Sequence, residues 1–102
     1  VKKNMLPFEV LFFELEQRGL HVQRQVSVPL MYKEMRFDTA FRMDLLVNNR
    51  VVIELKAVES LAPVHYAQLL SYLKLSNKKL GLLINFNSKL LKDGIHRVVN
   101  NL

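Results

Sequence analysis

The sequence predicts an α/β domain in which a small mixed β-sheet is flanked by α-helices. Three observations predict this class: an amphipathic helical pattern near the N terminus, three successive strand patterns, and a second helix followed by an apolar strand. A strand reached through a helix tends to lie parallel to the strand before it, so the last strand makes the sheet mixed. The 102 residues are 50% hydrophobic and 24% charged, which predicts one folded domain over residues 1–102.

The first helix is predicted from Pro7 to Arg18. Its apolar side chains recur at i, i+3, i+4 and i+7, the spacing of one helical stripe: Phe8, Leu11, Phe12 and Leu15. Proline suits the first turn of a helix, and Gly19 suits the position just after its end. From His21 to Leu30 apolar and polar residues alternate, which predicts a half-buried strand whose end, at Pro29, lies at a sheet edge.

A hairpin is predicted next, from the strands Phe41 to Val47 and Val51 to Ala57. The connection includes Asn48 and Asn49, and asparagine tolerates the positive φ that a short hairpin turn needs. The stretch from Met31 to Asp38, before the hairpin, fits either a polar connection or a second, irregular strand.

A second helix is predicted from Pro63 to Leu75, with Ser60 as its candidate cap and Asn77 as its candidate stop. The apolar run from Leu80 to Phe86 is typical of a central strand covered on both faces. The segment from Ile95 to Val99 fits a last short strand or helix.

The composition excludes several classes of protein. Without cysteine the chain has no disulfide, thiolate nucleophile or cysteine-ligated zinc, and the reducing cytoplasm is the expected compartment. The longest apolar runs fall far short of a membrane span, so no membrane partner is expected. The net charge of +6 favours a polyanionic partner such as nucleic acid.

Two acids of the hairpin form the strongest chemical pattern. Asp44 and Glu54 each lie five residues from Asn49, so they face each other across the strands with Cβ atoms roughly 4.5 to 5.5 Å apart. Strand alternation puts Lys56 on the face of Glu54. Paired carboxylates repel unless a proton or cation lies between them, which favours Mg²⁺ or Mn²⁺ and phosphodiester hydrolysis. The alternative is a surface salt bridge in which Lys56 neutralises both acids.

These residues also carry a family resemblance. The order of Asp44, nine intervening residues, Glu54-Leu55-Lys56 and a helix with Gln68 and Tyr72 resembles the PD-(D/E)XK nuclease superfamily. Four segments resemble, more narrowly, the GxxExxY proteins of that superfamily over nearly the whole chain: residues 42–47, 52–58, 65–73 and 81–86.

The resemblance implies a restriction-endonuclease-like core and a nuclease activity that depends on Mg²⁺ or Mn²⁺. It implies that Asp44, Glu54 and Lys56 are the catalytic residues. The two acids would be metal ligands together with the backbone carbonyl of Leu55, and Lys56 would be the catalytic lysine. The family itself does not settle the substrate; we expect nucleic acid and favour DNA over RNA, and a homodimer stays open.

Four further residues are candidates for active-site support or nucleic-acid binding. Gln68 and Tyr72 share a helical face by their i, i+4 spacing, and the resemblance implies that this face looks toward the active site; an ordinary half-buried helix face is the alternative. His65 lies on the same side, although a lone histidine is more often a capping or core residue. Arg42, two residues before Asp44, is expected on the same strand face and in contact with phosphates.

The N-terminal motif of the GxxExxY proteins is absent. Val1, Asn4 and Pro7 stand where that family has glycine, glutamate and tyrosine, and Glu9 lies on a different helical face from position 4. A lost acid would weaken binding of a divalent ion. Three functions therefore stay open: a metal-dependent nuclease, a catalytically degraded nuclease-fold module that binds nucleic acid or regulates, and a protein-interaction domain.

Overall fold

The computed structural model of the protein describes residues 5–101, apart from the side chains of residues 5–7, 32 and 37–40. The elements in chain order are α1 (Met5–Gln17), β1 (Val22–Tyr32), β2 (Met35–Val47), β3 (Val51–Lys56), α2 (Pro63–Ser76), β4 (Leu80–Asn85) and β5 (Ile95–Val99), with a turn of 3-10 helix at Leu91–Gly94. Neither helix of this described range has the length and apolar character needed to cross a bilayer.

The strands form one five-stranded sheet in the order β1-β2-β3-β4-β5. Neighbouring strands are antiparallel except β3 and β4, which are parallel and joined through α2. The predicted α/β class and mixed sheet are thus confirmed, and the parallel pair arises where the sequence predicted it, across the second helix. β1 is an edge strand, as Pro29 indicated.

The sheet has a hydrophobic cluster on each face. The α2-side cluster packs α2 on the sheet; its buried members are Val28, Met43, Leu46, Val52, Leu69, Tyr72, Leu73 and Leu83. The α1-side cluster packs the predicted stripe of α1 against the other face; its buried members are Val22, Leu45, Val47, Ile53 and Ile84. β4 contributes to both clusters, which explains its near-continuous apolar sequence.

The turns explain where most elements end. Gly19, with a φ of +82°, follows α1, and Asn77, with a φ of +56°, follows α2, both as predicted. The hairpin turn has Asn48 and Asn49 at φ of 51° and 57°. The predicted cap at Ser60 is wrong, because the residue before α2 is Ala62.

The segment between Met31 and Asp38 is strand rather than polar connection. β1 and β2 stay paired as far as Tyr32 with Met35, and a turn at Lys33 and Glu34, both with positive φ, joins them. The sequence indicated a shorter second strand because polar residues such as Lys33, Glu34 and Arg36, which are exposed, interrupt the apolar alternation.

The side-chain alternation of β2 reverses near its middle. Leu45 and Val47 belong to the α1-side cluster, whereas Phe41 and Met43, of the same parity, pack in the α2-side cluster. Two residues of equal parity would share one face of a regular strand, so the chain turns over between Met43 and Leu45.

The reversal coincides with Gln25 in β1, whose φ is +50°. This left-handed conformation is uncommon for glutamine. The pairing of β1 with β2 keeps its register on both sides, Arg24 with Leu45 and Val26 with Met43, so Asp44 lies opposite Gln25. The reversal therefore falls at the first of the two hairpin acids.

Candidate active site

Asp44 and Glu54 lie one residue beyond the last pair between β2 and β3, which is Leu45 with Ile53. The backbone N–H of Asp44 donates to Oε2 of Glu54 at 2.8 Å, and the N–H of Leu55 donates to Oδ2 of Asp44 at 2.8 Å. Each carboxylate therefore accepts a hydrogen bond from the opposite strand. This exchange fixes both acids at the point where the two strands separate, in the cross-strand arrangement that the hairpin predicted.

Glu54 is the more deeply placed acid, with 4% of its surface exposed. Burial and, after it, the negative charge of Asp44 together raise its pKa from an ordinary 4.5 to about 7. The hydrogen bond from Asp44 and the charge of Lys56 oppose this shift. Burial also raises the pKa of Asp44, against its bond from Leu55 and the charge of Lys56. The site therefore holds two acids that resist being ionised together.

Lys56 and Gln68 meet on the α2 side of this pair. Nζ of Lys56 donates to Oε1 of Gln68 at 3.5 Å, a long bond between the end of β3 and the first turns of α2. Gln68 is exposed, while Lys56 is half-buried. The glutamine oxygen thus holds the ammonium group beside the acids without neutralising it.

Tyr72 lies one helical turn after Gln68 and is 5% exposed. Its ring packs on Phe41 with the centroids 5.5 Å apart. Burial raises the pKa of its hydroxyl, and the charges of Glu54 and Asp44 raise it further. The hydroxyl of Tyr72 is therefore near enough to the acid pair for the charges of both acids to act on it.

A cleft of about 210 Å³ opens beside Asp44; its lining residues are Phe8, Asp44, Leu55, Lys56, Ala57 and Phe86. Phe8 comes from α1 and Phe86 follows β4, so both layers of the fold contribute a ring. The sequence indicated Phe8 only as part of a core stripe. Its place at the site depends on the docking of α1, which the stripe alone does not specify.

The sequence model of the PD-(D/E)XK nuclease superfamily matches residues 8–98, which include the acids, Lys56 and Gln68. The chain belongs to the PD-(D/E)XK nuclease superfamily. A crystal structure of the protein SSO0001 has a similar fold, with a TM-score of 0.67, 20% identity, and coverage of 97% of this chain and 51% of that one. This chain thus spans about half of that relative, and the likeness shows that the two share an α/β fold. Among curated proteins, none matches the sequence.

A divalent ion fits the donor set of this PD-(D/E)XK chain. Two carboxylates and the carbonyl of Leu55 are hard oxygen donors, and repulsion between the acids is relieved by a cation. Within the described residues no third His, Cys, Asp or Glu side chain joins the two acids to form a metal-binding group of three. Mg²⁺ suits such a site, since it commonly binds one or two carboxylates and keeps several waters.

The N-terminal acids of the chain do not add a third carboxylate in the described structure. Glu9 pairs with Arg24 of β1, which also lies over the rings of Phe8 and Phe12 at 4.9 and 4.7 Å. Asn4 and Val1 lie outside the described residues, as does the side chain of Pro7.

The remaining two candidates occupy different places. His65 caps α2: its Nδ1 accepts a hydrogen bond from the N–H of Ala62 at 2.9 Å, which explains why Ser60 is not needed. Arg42 is exposed and pairs with Ser27 in β1. Because the strand turns over between Met43 and Leu45, the i−2 spacing of Arg42 from Asp44 does not by itself give the two a common face.

Proposed function

We propose that the protein is a nuclease that uses Mg²⁺ or Mn²⁺ to hydrolyse phosphodiester bonds. The observation that carries this proposal is the reciprocal bonding of Asp44 and Glu54 beside Lys56. A salt bridge alone would place Lys56 within ion-pair distance of an acid, whereas its ammonium group donates to the neutral oxygen of Gln68. The two carboxylates repel each other, and a divalent cation between them would offset that repulsion.

Asp44, Glu54 and the carbonyl of Leu55 would hold the ion. When bound, the ion supplies a Lewis acid that polarises a phosphoryl oxygen and makes water a stronger nucleophile at neutral pH. Lys56 would orient the attacking water or offset charge that develops on the phosphate. Gln68 would keep the ammonium group of Lys56 in place, and Tyr72 would close the α2 side of the site against bulk water.

The ribbon of β1 and β2 supports a DNA substrate. β3 pairs with β2 only over Leu45–Val47, whereas β1 and β2 remain paired to Tyr32 with Met35. The ribbon therefore runs past the acid pair, nine residue steps from Asp44 to Met35, or about 30 Å at about 3.3 Å per residue. A nucleic acid with a phosphate at the acid pair would lie alongside it.

The ribbon is a two-stranded element with an exposed end. Met31 and Met35 are 60% and 62% exposed, and Arg42 is exposed between that end and the acids. The major groove of B-DNA, about 12 Å wide, admits such a ribbon, whereas the major groove of A-form RNA is too deep and narrow. This contrast supports duplex DNA over RNA, with Arg42 as a phosphate contact.

We also propose that residues 1–102 form one nuclease-like domain of the GxxExxY type. The segments that carry this narrower resemblance include the whole site: Asp44 and Lys56 with their strands, and the α2 face with Gln68 and Tyr72. Asn4 stands where the GxxExxY proteins have a glutamate, and a lost acid would weaken metal binding, so metal affinity is the property to measure first.

The test is cleavage of supercoiled plasmid and of labelled single-stranded DNA and RNA in Mg²⁺ and in Mn²⁺. Asp44→Asn and Lys56→Ala are expected to abolish cleavage, and Lys92→Ala, an exposed lysine on the 3-10 helix, is the matched control. Circular dichroism checks that each variant folds. Cleavage that survives Lys56→Ala, or that proceeds in EDTA, would overturn the proposal. Nicking without linearisation would indicate that one copy cuts one strand at a time.

A catalytically degraded binding module is the second candidate, because the described site has two acids and no third. It predicts salt-sensitive DNA binding with no cleavage by the folded wild-type protein. In that case Arg42→Ala should weaken binding to all sequences and lower the salt slope by about one.

A further inference from the structure

A second concave site lies at the opposite end of β3 from the acid pair. This basal cavity, of about 440 Å³, is lined by Asn49, Arg50, Val51, Asn77, Lys78, Lys79 and Leu80. It lies between the turn before β3 and the connection before β4. Val51 pairs with Leu80 at its floor, and five residue steps along β3 separate Val51 from Lys56, about 17 Å.

The charge of the basal cavity is one-sided. Arg50, Lys78 and Lys79 are three of its seven lining residues, and none of the seven is acidic. The ion pairs of the described residues, Arg18 with Glu14 and Arg24 with Glu9, include none of these three. Three cationic residues therefore border one cavity with no carboxylate among its lining residues, and an anion there would offset their charge.

The walls of the cavity are held by hydrogen bonds that leave the cationic groups charged. Nζ of Lys78 donates to Oδ1 of Asn49 at 3.3 Å, and Nζ of Lys79 donates to the carbonyl of Asn101 at 3.3 Å. Nδ2 of Asn100 donates to the carbonyl of Lys78 at 3.0 Å. The site is therefore largely formed before a ligand arrives, which lowers the entropy cost of binding.

The floor of the cavity is apolar. Val51 and Leu80 are half-buried at the start of adjacent parallel strands. A cavity of this size lies within the usual range for small-molecule sites, roughly 300 to 1,000 Å³. An apolar floor below a cationic rim suits a ligand with a flat apolar part and an anionic group.

We propose that the basal cavity binds a nucleotide, with its phosphate on Arg50, Lys78 and Lys79 and its nucleoside against Val51 and Leu80. Arginine presents a planar fork that matches phosphate geometry, and lysine adds point charges. The nucleotide is either free or part of a nucleic-acid chain. The proposal does not depend on the nuclease function, because the basal cavity and the cleft beside Asp44 have no lining residue in common.

The test is an NMR titration of the full ¹⁵N-labelled chain in EDTA, which removes any metal-dependent binding at the acids. The probes are inorganic phosphate, adenosine, adenosine 5′-monophosphate and a 12-nucleotide single strand. Adenosine 5′-monophosphate is expected to shift the amides of Asn49, Arg50, Lys78 and Lys79, and to bind more tightly than either phosphate or adenosine. If the oligonucleotide saturates the cavity and the mononucleotide does not, the bound nucleotide belongs to a nucleic-acid chain.

The test variant is the double substitution Arg50→Ala and Lys78→Ala. Its matched control is the double substitution Lys89→Ala and Lys92→Ala, which removes the same charge outside the cavity. The first pair should weaken binding by at least about tenfold, since each charge-assisted bond contributes strongly. The second pair should leave the mononucleotide affinity within about twofold. Equal weakening by both pairs, shifts confined to the end of β3 that carries Glu54, or no saturable binding of any probe would overturn the proposal.

Discussion

Replacing Glu54 by glutamine removes the charge of a carboxylate that is 4% exposed and keeps its size and an acceptor oxygen for the N–H of Asp44. Because the pKa of Glu54 is raised on folding, ionisation of this acid opposes folding. The protonated form of Glu54 contributes its full stability to the folded protein below about pH 4.5, and this contribution is lost as the pH rises through about 7. Glutamine, which is always neutral, does not suffer this loss.

The size of the effect follows from the two pKa values, 4.5 and about 7. A pKa difference of one corresponds to about 1.4 kcal/mol, so the wild type should lose about 3 kcal/mol relative to Glu54→Gln between about pH 4.5 and about pH 8. For a chain of 102 residues this difference corresponds to a shift in Tm on the order of 10 °C.

The assay is urea unfolding of both proteins in EDTA at about pH 4.5, 6, 7 and 8. Other acids titrate in both proteins, so the difference between wild type and variant isolates Glu54. A second arm adds Mg²⁺ at about pH 8, where a concentration of ten times Kd should stabilise the wild type by about 1.4 kcal/mol and leave the variant unchanged. A pH-independent difference between the two proteins would refute the account of Glu54 as a buried, repelled acid.

Three further substitutions test other parts of the structure. Gln68→Ala, at an exposed position, should lower the cleavage rate with little change in the urea midpoint, because it frees Lys56; unchanged kinetics in a plasmid assay would count against that contact. His65→Ala should lower the free energy of unfolding by about 1 kcal/mol through loss of the α2 cap, and calorimetry that shows no change would contradict the capping role. Leu69→Ala should cost about 2 to 5 kcal/mol because the side chain is fully buried; a loss below about 1 kcal/mol would mean that the α2-side cluster packs differently.

Local patterns in the sequence were sufficient for most elements. The apolar stripe of α1, the asparagines at the hairpin turn and Asn77 after α2 act through the backbone and side chains of a few neighbouring residues, so their effect is readable from the sequence. The opposition of Asp44 and Glu54 follows from the same hairpin, because a short turn fixes the register of its two strands. The resemblance to the PD-(D/E)XK superfamily rested on these acids, and the family match bears it out.

The tertiary structure decided what depends on contacts between distant segments. The reversal of β2 at Asp44 accompanies a left-handed φ at Gln25, which glutamine does not favour by itself and which packing on both faces of the sheet maintains. The pKa of Glu54 depends on how much chain covers it. The basal cavity joins Asn49 to Lys78 across 29 positions, which no local pattern encodes. The sequence by itself determined most elements and the opposition of the two acids, whereas the burial of Glu54, the reversal of β2 and the basal cavity depend on the packing of distant segments.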